Sequence, residues 1–224
     1  MIYLLINLLS IEAGGLLSRP LSRLLKPHHA KAMEIGAGLC VLILGIQGAL
    51  ESEASLLLLL SMVIGGLIGT QLDLQGLFYR LGDFFKRRFA PDDPAFSEGL
   101  IRLFLLQAVG AMAILGPLNA ALQNDPTLIL FKAILDFCST LIYGTIYGRG
   151  VLLAGPLLFI YQTAIYLLAG VIEPFLTAEM IREIGAAGSL LILGIGLDML
   201  DVFSFKSADY LPAVLGPVLY YLFR

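Results

Sequence analysis

The sequence predicts an all-α integral membrane protein with about eight transmembrane helices. Hydrophobic residues make up 58% of the 224 residues and charged residues only 14%, whereas about a quarter of a typical soluble domain is charged. The apolar composition extends along the whole chain, with a mean hydropathy of +0.91. Several stretches of roughly 17 residues or more hold at most one charge, which suits an apolar layer about 30 Å thick. These observations exclude an ordinary soluble domain.

Eight stretches have the length and composition of membrane-spanning helices. They lie at about 2–18, 34–50, 54–72, 101–118, 128–147, 151–172, 184–200 and 208–223. The first is interpreted as a retained helix, because it lacks the basic beginning of a signal peptide. Leu211-Pro212 predicts an irregular start to the last helix. Cys40 and Cys138 fall within apolar stretches and are expected to be buried and unpaired.

The basic residues predict how the chain is oriented. Eleven of the fourteen Lys and Arg residues fall in alternate loops or at their edges, whereas the opposite loops are mostly acidic. Lys and Arg mark cytoplasmic loops. The sequence therefore predicts a multi-pass protein of the cytoplasmic membrane with both termini on the extracytoplasmic side.

The segment 73–98 is expected to lie on the cytoplasmic surface. Its apolar residues recur at helical spacing with basic residues around them, and a Pro-Asp-Asp-Pro turn follows. This pattern is typical of an interfacial amphipathic helix. A surface anchor is the favoured role, and a regulatory or partner-binding helix is the alternative.

An internal repeat shapes the predicted architecture. Residues 34–46 match residues 183–195 at nine of thirteen positions without a gap. The copies lie five helices apart and would cross the membrane in opposite directions. This predicts a first transmembrane repeat (1–72), the amphipathic segment (73–98), a central helix pair (99–150) and a second, inverted repeat (151–224). Inverted repeats are common in secondary transporters and also occur in channels; duplication kept for stability is the remaining alternative.

Polar residues within an apolar helix are costly and are candidates for function. The fifth predicted helix carries a polar stripe at spacings of three and four, formed by Lys132, Asp136, Ser139 or Thr140, Tyr143 and Tyr147. Lys132 and Asp136 are four residues apart and can form an ion pair. The functional interpretation is a substrate or coupling-ion site; the alternative is a neutralised structural pair that holds helices together.

Other helices contribute further candidates. Gln162 follows Gly155-Pro156, where a kink can expose backbone carbonyls to an ion. Asn7, Gln47 and Gln107 each could line a cavity, although a hydrogen bond between helices is the simpler interpretation of any one of them. The sequence contains no nucleotide-binding or metalloprotease motif and suggests no nucleophile–base pair. It therefore predicts no enzyme activity, no cofactor, no metal and no nucleic-acid partner.

The chain resembles the YqgA-like family of uncharacterised membrane proteins, known as domain of unknown function 554. The most specific part of the resemblance is the run Asp125-Pro…Lys132-Ala-x-Leu-Asp136, which follows Gly116-Pro-Leu-Asn119. Asn7 followed by Gly14-Gly15, and Leu211-Pro212-Ala213, also fit the pattern. The resemblance covers nearly the whole chain and implies a membrane protein without naming a substrate.

These features predict a small ion-coupled secondary transporter of a small polar or anionic solute, with H+ or Na+ as coupling ion. A homo-oligomer is expected, because eight short helices leave little room for both a scaffold and a moving part. The alternatives are a channel and a membrane scaffold without transport activity. The residues expected along the path are Asp136, Lys132, Gln162, Asn7, Ser139, Tyr143, Gln47 and Asn119.

Overall fold

The computed structural model of the chain describes residues 1–24, 27–108 and 111–223, and every regular element within them is helical. The α-helices are α1 Ile2–Leu24, α2 Pro27–Ala49, α3 Ser55–Gln71, α4 Leu74–Phe89, α5 Phe96–Ala108, α6 Ala111–Leu122, α7 Thr127–Tyr147, α8 Val151–Ile172, α9 Ala178–Met199 and α10 Leu215–Leu222. Short 3-10 segments lie at Gly148–Gly150, Glu173–Phe175 and Ser207–Val214.

Two predicted helices do not appear as single α-helices among the described residues, and α1, α2 and α9 extend beyond their predicted bounds. The helix expected at 101–118 corresponds to two helices, α5 and α6, and residues 109 and 110 between them lie outside the described residues. The helix expected at 208–223 begins as the 3-10 segment Ser207–Val214 and becomes α-helical only at Leu215. The irregular start agrees with Pro212, because a proline inside an α-helix has no N–H to donate and crowds the preceding turn.

The helices have the dimensions of membrane spans. Four helical stretches in the described chain are long and apolar enough to cross a bilayer, and the number is up to six if each of two bent helix pairs is one span. One of the four stretches is Thr127–Val171, whose 45 residues would extend about 68 Å as one helix. It contains both α7 and α8, which run in opposite directions. The count of eight spans stays a prediction.

The chain forms two compact units, and both draw on distant parts of the sequence. The first unit comprises Met1–Glu34, Tyr79–Ala108 and Met112–Glu173. The second consists mainly of Ile35–Phe78 and Pro174–Arg224. Each unit therefore contains helices from both halves of the predicted repeat.

In the first unit, α1 packs against both α7 and α8. A Cβ on Gly14 would lie 2.6 Å from the backbone oxygen of Phe137, and a Cβ on Gly144 would meet the Ser18 side chain. These contacts advance in the same direction along both helices, so α1 is parallel to α7. The contacts of Gly15 with Leu152 and of Gly155 with Ile11 run in opposite directions, so α1 is antiparallel to α8.

The second unit is built from two antiparallel pairs. Helix α2 packs on α9, because Gly38 contacts Leu200 and Gly45 contacts Leu193. Helix α3 packs in the same manner on the 3-10 segment and α10: Gly65 lies against Ala213, Gly69 against Asp209, and Ser61 against Gly216. Small residues at such contacts let helix backbones approach closely.

Two further predictions concern the protein surface. The amphipathic helix expected within 73–98 is α4, and it exposes Leu77, Leu81 and Phe84 with basic residues in its last turn. Cys40 and Cys138 are free, as expected, but both are exposed. Their predicted burial was wrong, because an apolar helix in a membrane turns some of its side chains outward to lipid, and an apolar sequence does not distinguish that face from the protein core.

Candidate functional site

The polar stripe of α7 faces the interior of the first unit. Lys132, Asp136, Thr140 and Tyr143 are all at most 5% exposed, while Phe131, Ile134 and Leu135 on the opposite face are exposed. Spacings of three and four residues place the polar side chains on one side of an α-helix. The helix therefore directs its apolar face outward and its polar face into the protein, as expected of a helix with lipid on one side.

Lys132 and Asp136 form a buried ion pair. The Lys132 ammonium lies 2.9 Å from Oδ1 of Asp136, and the side chains are 7% and 5% exposed. The ammonium also donates to the backbone carbonyl of Gln107, at 2.8 Å. A carboxylate and a backbone carbonyl from a second helix thus stabilise one buried cation.

The side chain of Gln107 fastens α5 to α7. Its Nε2 lies 3.1 Å from the backbone oxygen of Asp136, 3.1 Å from Oγ of Ser139 and 2.9 Å from Oγ1 of Thr140. Thr140 in turn donates to the Asp136 carbonyl at 2.6 Å. These bonds fix the backbone around Asp136 and thereby hold its carboxylate in position.

A second amide pair approaches the same carboxylate from α1 and α8. Asn7 donates from Nδ2 to Oε1 of Gln162 at 3.1 Å, and both residues are at most 1% exposed. The Asn7 side chain also lies near the Asp136 carboxyl group. Asn7 and Gly14 are seven residues apart on one face of α1, so the glycine contact with α7 is what brings the Asn7 amide this close.

The cluster contains several polar atoms without partners. Among the described residues, these buried atoms form no hydrogen bond: Oδ1 of Asn7, Oε1 of Gln107, Oδ2 of Asp136 and Nε2 of Gln162. Leaving such atoms unpaired in a low-dielectric interior is costly, and most buried polar groups in proteins have a partner. Three acceptors and one donor around a fixed ion pair are suited to a small polar guest.

The stripe ends in a second polar network within the same unit. The Tyr147 hydroxyl lies 3.0 Å from Arg102 and donates to Glu34 at 3.3 Å, and Arg102 pairs with Glu98 at 2.7 Å. Tyr143 connects the two regions, because its ring lies 5.5 Å from that of Tyr147. Polar side chains therefore follow α7 from Lys132 to its carboxyl-terminal end.

Two expected site residues lie elsewhere. Gln47 belongs to α2 in the second unit and is exposed. Asn119 lies near the end of α6, where its backbone carbonyl accepts from the N–H groups of Gln123 and Asp125. These bonds shape the turn before α7.

Gln107 was predicted from the sequence to form a hydrogen bond between helices, and it does so with Ser139 and Thr140 of α7. Its position beside Asp136 could not be read from the sequence, because a single polar residue does not identify its partner.

The composition of the cluster limits its chemistry. No group of three or more His, Cys, Asp or Glu side chains that could hold a metal occurs in the described residues. The arrangement offers one carboxylate oxygen, two amide oxygens and an amide donor, beside a positive and a negative charge. Such a set can bind and orient a small solute that carries both donors and acceptors.

Comparison with known proteins places the chain among membrane proteins of undetermined function. It is 32% identical to the uncharacterized membrane protein YdfK of Bacillus subtilis (strain 168), over 94% of this chain and 91% of the relative. It is 26% identical to the uncharacterized protein YqgA of Escherichia coli (strain K12), over 94% and 92%. No solved structure matches. The model of the family described as protein of unknown function DUF554 matches residues 2–222, and the chain is therefore a membrane protein that belongs to this family.

Proposed function

We propose that this protein is a small secondary transporter, and that the cluster around Lys132 and Asp136 binds its solute or coupling ion. The observation that carries the proposal is a buried ion pair surrounded by amides from α1, α5 and α8, four of whose polar atoms have no partner among the described residues. Buried ionisable groups in membrane helices mark ion and substrate paths more often than they serve packing alone.

Helix packing within each unit supports an inverted repeat. The predicted repeat pairs α1 with α8, α2 with α9, and α3 with the 3-10 segment and α10. Each of these pairs packs antiparallel within its own unit, as equivalent helices of two inverted copies would. In transporters of this plan the solute site lies near the midplane, where equivalent helices of the two copies meet. The Asn7–Gln162 hydrogen bond joins such a pair.

We also propose that both termini lie on the extracytoplasmic side of the membrane. With both termini extracytoplasmic, α1 and α7 both run inward, and α8 runs outward. The parallel contact of α1 with α7 and its antiparallel contact with α8 agree with these directions. The Arg102, Tyr147 and Glu34 network would then lie on the cytoplasmic side of the cluster, as a polar end to the path.

The first experiment identifies the solute. Purified protein is screened by thermal shift against alkali cations, amino acids and small organic acids, and hits are tested for uptake into proteoliposomes under a proton or sodium gradient. We expect at least one solute that stabilises the protein and enters the vesicles with saturable, gradient-dependent kinetics. Linear single-channel currents would instead indicate a channel.

The matched variants are Asp136→Asn and Asp92→Asn. Both remove one negative charge, but Asp92 is exposed in the turn after α4. We expect Asp136→Asn to abolish the ligand-dependent shift and uptake, and Asp92→Asn to preserve both. If the two variants keep equal uptake and an equal thermal shift, the site is not at Asp136.

A further inference from the structure

A cavity in the first unit lies apart from the cluster and has a different character. It has a volume of about 270 Å³ and is lined by Arg19, Ala90, Phe96, Arg149, Leu152 and Leu153. Two arginines and four apolar residues thus line the same small space. This combination suits a ligand that is anionic at one end and hydrocarbon at the other.

Local structure explains why both arginines reach this space. Arg19 follows the apolar part of α1, and Arg149 lies in the 3-10 turn between α7 and α8. Gly150 contacts the backbone of Phe96 too closely for a side chain. This contact draws the turn against the start of α5 and places Arg149 beside the cavity.

The two arginines have no acidic partner among the described residues. Neither guanidinium forms an ion pair or hydrogen bond with another described residue. The nearby acidic residue Asp93 instead accepts from the backbone N–H groups of Arg149 and Ala95, at 2.8 and 3.1 Å. The cavity therefore has net positive charge.

We propose that this cavity binds the phosphate group of an anionic phospholipid, with the apolar side chains against the start of its acyl chains. Guanidinium groups match phosphate oxygens in geometry as well as charge, and basic pockets between membrane helices on the cytoplasmic side bind lipid headgroups. The assignment of this end of α1 to the cytoplasmic side rests on the orientation proposed above, whereas lipid binding does not depend on transport.

The geometry of the adjoining helix fits the same ligand. Helix α4 ends at Phe89, directly before Ala90 of the cavity wall, and its last turn carries Lys86, Arg87 and Arg88. Basic residues near a membrane attract anionic lipid. Together with the exposed apolar residues of α4, they would raise the local concentration of such lipid beside the cavity.

The experiment uses the delipidated full-length protein in a neutral detergent. Dioctanoyl phosphatidylglycerol, dioctanoyl phosphatidylcholine and inorganic phosphate are titrated separately, and apparent affinity is followed by thermal shift and native mass spectrometry. The variants are Arg19→Gln/Arg149→Gln, the charge-preserving Arg19→Lys/Arg149→Lys, and the control Arg23→Gln, which removes a charge one turn beyond Arg19 without touching the cavity.

We expect phosphatidylglycerol to bind more tightly than phosphatidylcholine, and the double Gln variant to weaken that binding by at least about tenfold, equivalent to one charged hydrogen bond. The double Lys variant should lie between, and Arg23→Gln should bind as the wild type does. If the double Gln variant does not fold, the double Lys variant alone decides, since a loss of affinity there requires guanidinium geometry. Unchanged affinity in the folded double variants would overturn the proposal. An equal arginine-dependent effect of inorganic phosphate would overturn the lipid assignment in favour of a soluble anion.

Discussion

The ammonium of Lys132 and the carboxylate of Asp136 lie 2.9 Å apart, one turn from each other on α7 and almost wholly buried. The pair is neutral as a whole, yet each charge depends on the other. This makes Lys132→Leu and Asp136→Leu informative both singly and together. Each single replacement leaves an uncompensated buried charge and is expected to cost about 3–5 kcal/mol, whereas the double replacement restores an apolar interior at much lower cost.

Thermal or denaturant unfolding in detergent measures this cycle. We expect both single variants to melt well below the wild type and the double variant to recover most of the loss. Additive destabilisation, with the double variant worse than either single, would contradict a mutually dependent buried pair.

The Asn7–Gln162 hydrogen bond is expected to couple α1 and α8. Replacing either residue by Leu removes the bond and leaves a buried amide unpaired. Coupling energies of hydrogen bonds between membrane helices average about 0.6 kcal/mol, and a value of this size is expected from a double-mutant cycle of Asn7→Leu and Gln162→Leu. The midpoint of unfolding in detergent supplies the four free energies. A coupling energy indistinguishable from zero would show that the two amides do not interact.

Glycine substitutions test the packing of α3. A methyl group on Gly69 would collide with the backbone carbonyl of Asp209, so Gly69→Ala should lower the melting temperature markedly. A methyl group on Gly170 in α8 would have no neighbouring atom within 4 Å, and Ala favours a helix over Gly by up to about 1 kcal/mol. Gly170→Ala is therefore expected to be neutral or slightly stabilising. Equal effects of the two substitutions would refute the close approach at Gly69.

The stability of the start of α7 is expected to depend on pH through Asp125. Its carboxylate accepts from the hydroxyl and the N–H of Thr127, at 2.6 and 3.0 Å, and these bonds lower its pKa below the usual 3.8. Because the folded pKa is below the unfolded one, the stabilisation is complete above the usual pKa and is lost as the pH falls through the lowered value.

Hydrogen exchange of the first turn of α7 measures this effect. Between about pH 5 and about pH 2, protection, corrected for intrinsic exchange, should fall in the wild type and stay flatter in Asp125→Asn, since the neutral amide oxygen accepts hydrogen bonds at every pH. Identical pH profiles for the two proteins would remove Asp125 as the cause.

The sequence alone predicts a membrane protein and the polar stripe of α7, because helical spacing places Lys132 and Asp136 on one face. It does not predict which residues of other helices contact that face. Gln107, Asn7 and Gln162 are isolated polar residues on three other helices, and only tertiary packing determines that the first lies beside Asp136 while the other two bond to each other. The Gly14 and Gly144 contacts, which set how closely α1 approaches α7, are equally invisible in a helix rich in glycine.

The predicted start of the last α-helix was wrong, because backbone geometry and not hydropathy determines the conformation there. Apolar residues continue through Ser207–Val214, so hydropathy indicates an ordinary span, yet this segment adopts a 3-10 conformation around Pro212.

The most direct test of transport through this cluster is gradient-driven uptake by the folded double variant Lys132→Leu/Asp136→Leu in proteoliposomes, using the solute identified by the thermal-shift screen. The variant keeps the packing of α7 and removes both charges, so it separates a structural pair from a functional one. Uptake should fall to the level of empty vesicles while the melting temperature stays near that of the wild type. Uptake at the wild-type rate would contradict the proposed site.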